Sequence, residues 1–149
     1  MGLDIYCEGL DSNFYMGYAG FHRFREFLAK KLDIPLPFME CFYDPDSSPL
    51  SNPFWELKNV GLDSSYTIQN ALSFLPIKWN SIKYNSLHRF LYHSDCDGEI
   101  EWLFLTDMYI ELKFILDGVK KGERYYDEIE CLISIMKYGA ENQKNLLFR

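Results

Sequence analysis

Between His93 and Glu101 the chain reads His-Ser-Asp-Cys-Asp-Gly-Glu-Ile-Glu, the one stretch in which side chains able to do chemistry crowd at a regular spacing. Acids stand at 95, 97, 99 and 101, on every second residue, and Asp107 comes a little further on. In extended backbone, residues two apart point the same way. His93, Asp95 and Asp97 would then project to one side as an imidazole and two carboxylates. That set suits borderline divalent ions, so these three are the candidate ligands for Mn²⁺, Fe²⁺ or Zn²⁺. A metal held there would activate a bound water and clamp phosphoryl oxygens. Glu99 would be the general base, a carboxylate near enough to take the water's proton. The competing reading needs no ion. Gly98 can supply the positive φ of a tight turn, and Asp95 and Asp97 can form Asx turns or cap the next helix, whose dipole favours their charge. The expectation adopted is this second one: an acidic bend joining two helices, with no cofactor. Mn or Zn belongs to the alternative.

The spelling H-x-D-x-D-G resembles the first metal motif of the DHH phosphoesterases, which hydrolyse phosphodiester bonds with two metals. The likeness covers six residues; no His-His pair comes after it, and the histidines are His22, His88 and His93. In another register the segment resembles an EF-hand calcium loop, with Asp95, Asp97, Gly98 and Ile100 at the third, fifth, sharp-turn and apolar eighth positions. His93 then stands first and Phe104 twelfth, where calcium wants carboxylate oxygens.

The 149 residues predict one domain spanning 1–149, large enough for a sizeable core. Hydrophobic residues make up 48% and aromatics 17%, which is globular and rich in rings suited to cores and interfaces. From His93 to Glu130 there are 11 acids against 4 bases (Lys113, Lys120, Lys121 and Arg124), which leaves 11 of each elsewhere from totals of 22 and 15. One segment therefore carries the whole net charge of −7. It repels phosphates and argues against binding nucleic acid, while a basic protein surface would complement it. Cys7, Cys41, Cys96 and Cys131 are too scattered for a zinc knuckle or a redox C-x-x-C pair. The opening has no basic-then-apolar leader, Tyr6 stands where myristoylation wants Ser or Thr, and no apolar run is long enough to span a membrane. A cytoplasmic protein with free thiols is expected.

Local patterning predicts the elements that must position these residues. Residues 3–10 alternate partly and 14–16 come after a turn at Asp11-Ser12-Asn13, which predicts a small N-terminal β hairpin. Phe21, Phe24, Leu28 and Leu32 at helical spacing predict a helix over 19–32, with His22 a satisfied core or boundary histidine beside the stripe. Residues 33–65 hold five of the six prolines and read as a long loop, with Phe42, Phe54 and Trp55 as a candidate partner-binding surface. A short helix stopped at Pro76 is expected over 66–75, and Asn85 or Ser86 should cap another that carries Leu87, Phe90 and Leu91. Residues 100–118 read as the strongest helix, and a last one begins near Tyr125, with Gly139 as its stop or kink. The fold class is mainly α (α+β), about four helices with the hairpin.

The Met1-Gly2-Leu3-Asp4 opening, the F-x-x-F-R run from Phe21 to Arg25 and the central motif H-S-D-C-D-G resemble a group of small, uncharacterised proteins of bacteria and their phages. The resemblance spans most of the sequence and implies a bacterial or prophage origin, with no activity attached. The functional expectation is a non-catalytic protein that acts by binding another protein; the alternative is a metal-dependent phosphoester hydrolase using His93, Asp95, Asp97 and Glu99.

Overall fold

Leu3 and Ile5 alternate with Asp4 and Tyr6, and in the computed structural model, which describes residues 2–44, 75–93 and 97–149, they form strand β1 (Gly2–Tyr6). β2 (Phe14–Gly17) runs back beside it, with Leu3 opposite Met16 and Ile5 opposite Phe14. The expected hairpin is therefore present, but it is half of a larger sheet. β4 (Leu146–Phe148) pairs with the other side of β1, and β3 (Gly98–Ile100) pairs with β4. The order is β2-β1-β4-β3, antiparallel throughout. One residue past the end of β4, Arg149 exchanges both backbone hydrogen bonds with Asp4 of β1, at 2.7 and 2.9 Å. A hairpin alone is marginal in water; the two added strands extend its apolar face.

That face carries Leu3, Ile5, Phe14, Ile100, Leu146 and Phe148, all buried. The helices cover it. α1 (Tyr18–Lys31) starts directly after β2 and buries Phe21, Phe24, Leu28 and Ala29, as its spacing predicts. Arg25 is buried with them. Leu36–Phe38 is a 3₁₀ turn, and Met39 forms a parallel bridge to Ile77. The remainder of the expected loop (45–65) and the expected helix over 66–74 lie outside the described residues. Neither Asn85 nor Ser86 caps α2 (His88–Leu91) as expected: the N-cap residue is Leu87, with no side-chain cap, and Asn85 Oδ1 accepts the Leu87 N–H at 2.8 Å.

The helix expected over 100–118 is corrected. Ile100 belongs to β3, Trp102–Phe104 is a 3₁₀ turn, and α3 (Leu105–Asp117) begins only afterwards. The acidic segment is corrected with it: it leads from α2 into a strand and is not a bend between helices. α4 (Tyr126–Asn142) packs along α3 and starts where expected. Its preceding residue, Tyr125, has φ 71°, a left-handed backbone held in place by ring contacts to Phe24 and Phe27 at 5.2 and 5.0 Å. Gly139 does not stop this helix but lies inside it. Among the described residues, no helix is long and apolar enough to cross a membrane.

Among the described residues, no helix lies on the second face of the sheet. Asp4, Tyr6, Tyr15, Glu99, Leu147 and Arg149 share that face by strand alternation, and all are half-buried or exposed.

Candidate functional site

The pairing of β3 decides where the chemistry-bearing residues go. Gly98 lies opposite Phe148 and Ile100 opposite Leu146, so both face the core. Glu99 lies opposite Leu147 and faces the open side. Beneath Gly98 the His93 ring stacks on Phe148, centroids 3.8 Å apart and planes 15° from parallel. A Cβ on Gly98 would stand 2.7 Å from His93 Cε1 and 2.8 Å from Nε2. This glycine is thus required for close approach, not for the positive φ expected of it. Among the described residues the left-handed glycines are Gly9 and Gly122.

Arg25 sets the approach to this strand. Its Nη1 donates to the carbonyls of His93 at 2.7 Å and Leu91 at 3.3 Å, which are backbone groups at and just past the end of α2. The guanidinium lies over Phe21 and Phe42, 4.6 and 5.0 Å from their ring centres. A planar, permanently charged group suits this double role, because its edge donates while its faces meet rings. The signal was in the sequence: Arg25 is four residues after Phe21 and so falls within the buried stripe.

The expected ligands are not all brought together. His93 is half-buried on the core side of β3, whereas Glu99 is exposed on the opposite face. Asp97 is exposed beside Glu99, and both border a cleft of about 360 Å³ with Gly98, Leu147, Phe148 and Arg149. Asp95 lies outside the described residues. Among the described residues, no three His, Cys, Asp or Glu side chains converge as a metal ion would require.

Glu99 also lines a second, open cleft of about 520 Å³, with Glu8, Glu101, Trp102, Gln143, Lys144, Asn145 and Leu147. Asn145, which sequence reasoning passed over, ties its walls together. Its Oδ1 accepts the Trp102 N–H at 2.9 Å and its Nδ2 donates to Glu99 at 3.3 Å. The two clefts run along one strand and share Glu99 and Leu147. Four carboxylates (Glu8, Asp97, Glu99 and Glu101) face two cations (Lys144 and Arg149) there. Such a surface attracts cationic groups, and the Trp102 and Leu147 side chains offer apolar surface to their stems.

Of the aromatic partner-binding candidates, Phe42 is half-buried, with its ring also 6.0 Å from His22 and 6.3 Å from Trp79. Phe54 and Trp55 lie outside the described residues. His22 is the satisfied boundary residue expected, with Nε2 3.0 Å from a Glu26 carboxylate oxygen. His88 is different. It is buried, its Nε2 has no hydrogen-bond partner among the described residues, and it sits edge-on to Trp79 and Tyr84 at 5.2 and 5.5 Å. Burial holds its pKa below the ordinary histidine value.

Comparison of the sequence and fold with protein-family models, with curated proteins and with solved structures finds no match.

Proposed function

We propose that this chain is a non-catalytic protein that works by binding another protein, and that the partner presents basic groups to the open face of the sheet. One observation carries the reading: the paired clefts along β3, where Glu8, Asp97, Glu99 and Glu101 gather around Leu147 and Trp102 on a face that no helix covers among the described residues. Carboxylates gathered on one face raise the encounter rate with a cationic surface and repel phosphate-bearing ones. The free thiols of Cys7, Cys41 and Cys131 support a cytosolic setting.

The test is affinity capture from extracts of the source cell with the wild type and with a Glu99→Lys/Glu101→Lys double variant. The expected outcome is a partner held at low salt, released at high salt and missing from the variant, whose melting temperature is unchanged. Recovery of the same proteins in equal amounts by both forms would defeat the proposal.

A further inference from the structure

The order β2-β1-β4-β3 leaves β3 with β4 on one side and, among the described residues, no strand on the other. Gly98 and Glu99 are exposed within it, and Asp97 and Glu101, also exposed, stand immediately before and after it. Alternate residues of such a strand point their N–H and C=O groups away from the sheet, ready to pair with an added strand. Asp97, Glu99 and Glu101 stand on every second residue, with Glu99 on the open face of the strand and the other two flanking its ends.

We infer that β3 is a docking edge for an extended basic segment of the partner, which adds to the sheet as a fifth strand with Lys or Arg on every second residue. This rests on the proposed function and names how that surface is used. The alternation of acids decides the occupant. A second copy of this chain, added edge to edge, would bring carboxylate against carboxylate, and like charges across a strand pair are destabilising. A strand with cations at the same period meets an opposite charge at each position, while its backbone completes the edge that no described strand pairs. The long stems of such residues lie over Leu147 and Trp102, and their heads reach the carboxylates that border the two clefts.

The probes are two synthetic nine-residue peptides of equal charge, each with lysine on alternate positions and threonine between. One is N-methylated at every backbone amide and so has no N–H to pair. Each is titrated into the full-length protein at low ionic strength, with the dissociation constant and the hydrogen exchange of the Gly98–Ile100 amides as readouts. The unmethylated peptide should bind at least about tenfold more tightly, since several edge hydrogen bonds each contribute modestly. It should also slow exchange along β3. Glu99→Gln/Glu101→Gln should weaken it without moving the melting temperature. Equal binding of the two peptides, or binding that leaves β3 exchange unchanged, overturns strand addition while the acidic-face reading stands. Binding of neither overturns both.

Discussion

Replacing Gly139 with alanine adds one methyl group where α3, the end of β1 and the lead into β4 converge. The new Cβ would stand 2.7 Å from Leu105 Cδ1, 2.7 Å from the Lys144 carbonyl oxygen and 2.8 Å from Cys7 Sγ. Leu105 and Cys7 are both 0% exposed, so neither can swing into free space. The third neighbour is backbone, and the Lys144 N–H also donates to the Gly139 carbonyl at 2.9 Å, closing the helix end. Two effects oppose each other. Alanine gains about 1 kcal/mol over glycine inside a helix. Overpacking of a filled core costs about 1–3 kcal/mol, and straining the closing hydrogen bond costs about 1 kcal/mol more. The net expectation is a destabilisation of about 1–3 kcal/mol, which at this length lowers the melting temperature by roughly 2–10 °C. Equilibrium urea unfolding should show a lower midpoint at an unchanged slope. Because β4 comes directly after this turn and holds β3, the Gly98–Ile100 amides should exchange faster as well. A variant as stable as the wild type, or more so, would refute the reasoning, since helix propensity alone would then have decided the outcome.

Gly98→Ala should push the His93 ring off Phe148, move its ring-proton resonances downfield and cost about 1 kcal/mol of stacking; unmoved resonances would deny the close approach. His88, whose folded pKa is lowered by burial, should make stability pH-dependent. Below about 6.5 the unfolded state takes up a proton that the folded state resists, so stability falls as pH drops from there toward the lowered value. His88→Gln should flatten that slope in melting curves, and an unchanged slope would assign the dependence elsewhere. Burial pushes the Cys7 thiol up to about 11, and its Sγ donates to the Ile135 carbonyl at 3.6 Å. A thiol reagent at mild pH should therefore modify exposed Cys41 well before Cys7, which should react only on unfolding; equal rates would contradict this. Mn²⁺ or Zn²⁺ added to the purified protein should leave the melting temperature unchanged. A rise that Asp95→Ala and Asp97→Ala abolish would favour the phosphoester hydrolase instead.

The parts of the fold that were legible are those with local signals. Alternation about Ile5 and the turn after Leu10 announce the hairpin, and Phe21, Phe24 and Leu28 announce α1. β3 and β4 are three residues each and exist only because they pair with one another and with β1, far away in sequence. No local preference marks them. Ile100, Leu103 and Phe104 continue the helical period of α3, which is why a strand and a 3₁₀ turn read as helix. The register of Ile100 with Leu146 is what separates them. The same non-local pairing sorted the candidate site. The every-second-residue spacing of Asp97, Glu99 and Glu101 was legible and fits one face of a strand. That His93 would lie on the other side, stacked on a residue from the opposite end of the sequence, was not.

Leu103, Ile110 and Phe114 form a competing exposed surface, at 53%, 41% and 69% accessibility. Chemical-shift mapping of the labelled protein with its captured partner separates the two surfaces directly. Partner binding through the acidic edge should shift Glu8, Asp97 to Glu101 and Lys144 to Arg149 and leave the outward face of α3 untouched. Shifts confined to Leu103, Ile110 and Phe114, with β3 silent, would contradict it.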